Sequence, residues 1–177
     1  MTPRDGRRSA ARIGDDSLEK PAMNEERNLR QRLLGAWTLD SYLEIDAETG
    51  VRHAPFGDAP LGLIVYTADG YMSSVQLQAR ERAPFAGDDP YRGTPAEYAQ
   101  AGRTYLAYAG RFFVDEATRA LSHEMAVALF PNWLGQIQTR IVEFPDDTLH
   151  LGMPTPLQLN DALKHARLVW RRATPNG

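Results

Sequence analysis

Four side chains in the second half of the chain have the types and the spacing to do chemistry: Tyr108, His123, Gln138 and Arg140. Histidine moves protons near neutral pH. Arginine offers a fixed positive fork to a carboxylate, phenolate or enolate oxygen, and a tyrosine hydroxyl can donate to the same oxygen. A β reading brings the four together. Side chains two apart in a strand point the same way, so Leu121, His123, Met125, Val127 and Leu129 share a face, as do Gln138, Arg140, Val142 and Phe144. Tyr108 falls in with Gly110, Phe112 and Val114. Polar groups interrupt each apolar row, and a buried polar group is costly unless it is paired. These polar members therefore either satisfy one another inside or meet a ligand. Across a turn at Phe130-Pro131-Asn132-Trp133-Leu134-Gly135, His123 and Arg140 are expected about opposite each other. Two potentially cationic groups so placed call for an acceptor between them: a protein carboxylate, a water or a ligand oxygen.

The elements that must hold these groups are strands. A helix over 24–34, with Asn24 as its cap, Glu25 and Glu26 in its first turn and Leu29, Leu33 and Leu34 at helical spacing, runs into a strand from Ala36 to Ile45. Turn residues fill 46–60. A hairpin over 61–78, turned at Asp69-Gly70, carries Tyr66 and Ser73. A polar loop over 79–93 leads to Thr94-Pro95-Ala96-Glu97, a capping box with proline at the first helical position. Residues 79–106 are expected to form a lid that brings Phe85, Tyr91 or Tyr105 to a cavity mouth. Strands at 108–115, 121–129, 136–144, 148–153 and 163–171 follow closely.

The fold class is therefore all-β: a single eight-stranded antiparallel up-and-down barrel, allowing up to ten strands, with an N-terminal helix and one helical lid insertion. A closed barrel of eight strands removes its edges and holds one small ligand. The barrel domain is expected over 24–173, with 1–23 a disordered tail and 174–177 a short C-terminal tail. Gln138, Tyr105, Met125, Phe112, Trp133, Tyr66 and Ser73 are the expected ligand-binding residues, with His123, Arg140 and Tyr108 the candidate catalytic ones.

Composition narrows the function classes. A formal net charge of -3 and a pI near 5.8 disfavour nucleic acid as a partner. There is no cysteine, hence no disulfide and no thiolate chemistry. No run approaches the roughly 20 apolar residues that span a bilayer. The first twenty residues carry charges throughout without an apolar core, unlike a secretory signal, so a cytoplasmic location is expected. No GxSxG, GxGxxG, Walker or HExxH pattern occurs. The histidines His53, His123, His150 and His165 sit on separate elements, with His150 reading as outward and His165 as exposed beside Lys164. No metal and no cofactor is expected, and the partner is a small molecule, with a homodimer left open.

GAWTLDSYLEIDAETG, PFGDAPLGLIVYTADGYMSS, YLAYAGRFFVDE, SHEMAVALFPNWLGQIQTRIVEF and LVWRR, in that order, resemble the lipocalin-like domain family of bacteria and fungi, within the calycin group. The resemblance covers roughly Leu33 to Arg172 and implies a β-barrel with an internal pocket for a small hydrophobic molecule. Gly35-x-Trp37 is similar to the first signature of lipocalins, and an arginine near the end of the last strand to the closing one. Carried over, Trp37 lies under Arg172 or Arg171; Arg172 is preferred because it shares a face with Leu168 and Trp170. The expected function is binding of a small, largely hydrophobic molecule with an anionic or carbonyl oxygen. One alternative is a cofactor-free isomerase, cyclase or dehydratase; another is a structural or partner-binding barrel.

Overall fold

The computed structural model describes residues 28–176, apart from the side chains of 73–75. A one-turn helix α1 (Leu29–Leu33) leads into β1 (Gly35–Asp46), β2 (Arg52–His53), β3 (Leu61–Tyr66) and β4 (Tyr71–Gln78). Helix α2 (Pro95–Arg103) follows, then β5 (Tyr105–Asp115), β6 (Ala120–Ala128), a 3₁₀ turn (Pro131–Trp133), β7 (Ile137–Glu143), β8 (Thr148–Gly152), β9 (Leu157–Leu159) and β10 (Ala162–Arg172). All pairings are antiparallel in the order β2-β1-β3-β4-β5-β6-β7-β8-β10-β9, and β10 returns to β1 from Trp37↔Arg172 to Asp46↔Lys164. That pairing closes eight strands into a barrel. Strands β2 and β9 lie outside the eight and extend one rim, pairing at Glu44↔His53 and Ala162↔Leu159. No helix among the described residues is long and apolar enough to cross a membrane.

The sequence reading allows up to ten strands but places neither rim strand: it takes 46–60 as turn and loop and assigns no strand between 153 and 163. The missed signal in the second case is Asn160-Asp161. Both have positive φ, 48° and 62°. Two such residues make the mirror-image turn whose twist suits a tight hairpin, and here they join β9 to β10.

β-Bulges in β1 and β6 change which side chains face inward at the site. An extra residue in one strand advances its alternation by one. In β1 the register shifts between Leu39 and Ser41, so Trp37 is buried on odd numbering while Tyr42 and Glu44 are buried on even numbering. In β6 the pairing runs Gly110↔Met125 and then Ala109↔Val127, leaving Ala126 without a counterpart. Leu121, His123 and Met125 point inward as expected, but the phase then flips: Ala128 packs against the core, while Val127 is 60% exposed and Leu129 45%. The expected five-residue row therefore breaks after Met125. Gly110 permits this crossing, since a Cβ there would stand 1.9 Å from the Glu124 carbonyl oxygen.

Helix α1 shuts one end of the barrel. Its cap is Asn28, whose side chain accepts from the Gln31 N–H. The helix expected to run from Asn24 thus starts at Leu29, and Asn24, Glu25, Glu26 and the tail 1–23 lie outside the described residues. Leu29 and Leu33 are buried on the core. Gly35, with φ 105°, makes the sharp turn from α1 into β1. Trp37 Nε1 donates to the Leu33 carbonyl at 2.8 Å. The Arg172 guanidinium lies 3.8 Å over the Trp37 ring and donates to the carbonyls of Leu34 and Arg32. Arg171 points outward to Asp40 at 2.7 Å.

Candidate functional site

At the other end the barrel opens into a cavity of about 930 Å³, which narrows inward to an extension of about 50 Å³. Strand β7 supplies its polar wall, because Gln138 and Arg140 stay on the inward phase that Val142 shares. Arg140 is only 8% exposed. Its guanidinium donates to Gln138 Oε1 at 2.6 Å and to the Thr139 carbonyl at 3.2 Å. Two of its five donors are thereby engaged, both within its own strand. Among the described residues no carboxylate lies within ion-pair distance of Arg140.

The nearby carboxylate on the cavity wall, Glu44, has its own partners. Lys164 Nζ and Asn160 Nδ2 each donate to Glu44 Oε2 at 3.0 Å, and Tyr42 Oη donates to Oε1 at 3.2 Å. Burial, together with this carboxylate, pushes the Tyr42 hydroxyl up, so it remains a donor at neutral pH. Lys164 therefore turns inward, with a side chain 12% exposed, where the sequence reading places the 164–165 stretch outside. His150 does lie on the outer phase, 3.3 Å from Arg167.

His123 does not stand opposite Arg140. Its pairing partner is Gln138, and Arg140 pairs with Leu121, two pairs further along the ladder. Its imidazole is completely buried and borders neither part of the cavity. Nε2 lies 3.0 Å from the Tyr66 hydroxyl and Nδ1 lies 3.3 Å from the Tyr108 hydroxyl. Burial first, and then the Arg140 charge, hold His123 well below the usual histidine range. The ring is neutral, with one N–H: it donates to one tyrosine and accepts from the other. The expected acceptor between two cations is thus absent, because His123 is not a cation and each of its nitrogens already has a partner.

The remaining sequence-predicted residues divide into two groups. Tyr108, Gln138, Arg140, Tyr105 and Trp133 border the cavity. Trp133 meets Tyr108 edge to face at 5.8 Å, roofing the inner wall. Met125, Phe112 and Tyr66 do not border it; they are buried in the packed half, where Tyr66 and Phe112 meet edge to face at 5.0 Å. The Ser73 side chain lies outside what is described. The sequence reading overlooks Tyr42, Glu44, Phe56, Met153, Leu157 and Leu159. For Tyr42 and Glu44 the available signal is the shift of apolar positions from 37 and 39 to 42.

The lid is only partly a lid. Gly102, Arg103, Tyr105 and Leu106 stand at the mouth, yet α2 buries none of its residues. Phe85 packs against Tyr98 at 5.3 Å, and the Tyr98 hydroxyl donates to the Pro90 carbonyl and accepts from the Gly93 N–H. Tyr91 is 92% exposed. Residues 84–98 therefore fold onto themselves, and neither Phe85 nor Tyr91 reaches the cavity.

A family model described as lipocalin-like domain matches residues 34–173. Over 105 residues, 56% of this chain and 95% of the relative, the sequence is 37% identical to a 4'-hydroxy-3'-methoxypropiophenone carrier protein of Aspergillus oryzae (strain ATCC 42149 / RIB 40). No solved structure matches the chain.

Proposed function

Because the chain belongs to the lipocalin-like domain family, we propose that it is a carrier whose cavity takes a compact aromatic molecule bearing a carbonyl or phenolate oxygen. Small-molecule binding is what the family and the carrier relative share with the open barrel. One observation carries the finer reading: Arg140 is buried on the cavity wall without a carboxylate partner. A buried guanidinium with open donors is a costly arrangement unless an oxygen arrives to meet it. The wall around it is aromatic and aliphatic, with Tyr105, Trp133, Phe56 and Leu157 offering flat contact to a ring. The relative's named cargo is an aryl ketone, and such a molecule meets both demands, oxygen to Arg140 and ring to the apolar wall.

Calorimetric titration with acetophenone, 4′-hydroxyacetophenone and benzoate tests this. Arg140→Met should weaken binding about 10- to 100-fold, the loss of a charge-assisted hydrogen bond, while the barrel stays folded. If none of the three binds the wild type, or Arg140→Met binds all of them unchanged, the reading fails. Bound ketone should be recovered unaltered, because His123 lies behind Tyr108 without bordering the cavity, and the wall carboxylate Glu44 is already held by Lys164, Asn160 and Tyr42. Chemical conversion of the ligand, seen by NMR, would favour the isomerase or cyclase alternative instead.

A further inference from the structure

Trp170 forms part of the narrow extension of the cavity and is completely buried. Its Nε1–H has no hydrogen-bond partner among the described residues. A buried indole N–H is nearly always paired, and an exception calls for a reason. The contrast within the same barrel is Trp37, whose Nε1 donates to the Leu33 carbonyl. Trp170 pairs with Leu39 and Leu149 across its two neighbouring strands, so apolar side chains flank it on the sheet. Leu77, Leu151 and Leu168 also line the extension, while its polar groups are those of Tyr42, Tyr108, Gln138 and Arg140.

We propose that the extension is a second polar subsite, in which Trp170 Nε1–H donates to an oxygen on the ligand. The inference rests on the carrier reading and sharpens its ligand class. Indole is a neutral donor with no acceptor, so the group it takes is a neutral oxygen: a hydroxyl, an ether or a carbonyl. At about 50 Å³ the extension is well below the roughly 150 Å³ of an apolar cavity that takes up benzene. It admits one small substituent, not a ring. The ligand is therefore an aromatic molecule with oxygens on two substituents. One oxygen meets Arg140, the other enters the extension, and the ring stays in the wider space beside Trp133 and Tyr105.

The test is a grid of three ligands against three proteins, read by calorimetry. The ligands are 4′-hydroxyacetophenone, acetophenone without the phenol oxygen, and 4-ethylphenol without the carbonyl. Trp170→Phe should weaken 4′-hydroxyacetophenone about 2- to 10-fold, the worth of one neutral hydrogen bond. It should leave unchanged the analogue that lacks the oxygen entering the extension. Arg140→Met should spare the other analogue instead. Equal weakening of all three by Trp170→Phe would mean the indole only packs, and no change in any would mean a water holds its N–H. Either result overturns the proposal while leaving the carrier reading intact. Binding of none to the wild type overturns both. Should Trp170→Phe fail to fold, ¹⁵N spectra of the wild type's three indoles decide: 4′-hydroxyacetophenone must move the assigned Trp170 N–H downfield, and an unmoved signal rejects the subsite.

Discussion

Each end of the barrel carries an arginine, and their circumstances are reversed. Arg172, at the closed end, is exposed, yet it lies over Trp37 and donates to the carbonyls of Leu34 and Arg32. Arg140, at the open end, is buried, yet holds only Gln138 and the Thr139 carbonyl from its own strand. If stability alone decided placement, the buried charge would have the partners and the exposed one would need none. The difference teaches where each serves. At the closed end three arginines cover aromatic rings, Arg30 over Phe112 at 4.6 Å, Arg32 over Phe144 at 4.1 Å and Arg172 over Trp37 at 3.8 Å. These contacts finish a plug. In the cavity the polar groups remain unfinished, at Arg140 on its wall and at Trp170 Nε1 in its inner extension.

The largest way to break this contrast is at the plug. Trp37 is 1% exposed, and Trp37→Ala should cost about 3–5 kcal/mol in chemical denaturation. Ligand affinity of the protein that remains folded should be unchanged. A cost below about 1 kcal/mol would mean the closed end does not hold the barrel. Next in size is the pair of arginine substitutions. Arg172→Met should cost about 1–3 kcal/mol through the lost ring contact and the two carbonyl bonds. Arg140→Met should lie within about 1 kcal/mol of wild type, in either direction, since an apolar replacement removes a poorly compensated buried charge. Equal destabilisation by both would erase the distinction between the two ends.

Much of this contrast is legible in the residues. Period-two rows place Arg140, Gln138 and His123 inside, and Gly35-x-Trp37 with Arg172 points to the contact seen at 3.8 Å. Asp69-Gly70 marks its hairpin and Thr94-x-x-Glu97 its capping box, and both are present. Strict alternation fails when it is carried past a bulge, because one extra residue shifts the phase of every residue after it. The shifts at Asp40 and Ala126 are therefore what hide Tyr42 and Glu44 and what misplace Val127 and Leu129. His123 faces Gln138 and not Arg140 for another reason: the β6–β7 ladder ends at Glu124↔Ile137, so the connection begins well before the Phe130–Gly135 turn that the residue types mark. The insertion shows a different gap. Its aromatic residues are visible, but nothing in their spacing tells that Phe85 prefers Tyr98 to the cavity.

A third prediction uses pH to locate His123 on the structural side of the contrast. Unfolded, its imidazole titrates near 6.5; folded, burial and Arg140 hold it well below that. The unfolded chain then binds a proton that the folded chain refuses. This contribution is fully present above about pH 6.5 and is lost as pH falls below it, by up to about 1.4 kcal/mol per unit. Urea titrations from pH 6.5 to 5 should show that slope, and His123→Gln, which can still meet both tyrosine hydroxyls, should flatten it. His150→Gln is the control, because that ring is also held below the usual range. An unaltered slope in His123→Gln would show that the histidine is not a buried neutral link between Tyr66 and Tyr108.

The smallest expected effect concerns how the plug is fastened. Helix α1 is five residues long, too short to persist without help. Each of its first four N–H groups has an acceptor: Leu29 and Arg30 donate to the Glu116 carboxylate at 2.7 and 3.0 Å, Gln31 to Asn28 Oδ1 and Arg32 to the Asn28 carbonyl. Glu116 comes from the β5–β6 turn, so one side chain both caps the helix and ties it to the barrel. A carboxylate at a helix N-terminus is worth about 0.5–1 kcal/mol and weakens with salt. Glu116→Gln keeps the shape and one acceptor oxygen, so it should lose only part of this, and Glu116→Ala the whole. The difference between glutamate and glutamine should shrink on going from 0.01 to 1 M salt, where the screening length falls from about 30 to 3 Å. Hydrogen exchange at 29–33 should quicken in Glu116→Ala while exchange in β7 stays as it was, and ligand affinity should not change. Loss of affinity in that variant would mean the plug and the cavity are coupled through the barrel, and the two ends could no longer be treated as separate devices.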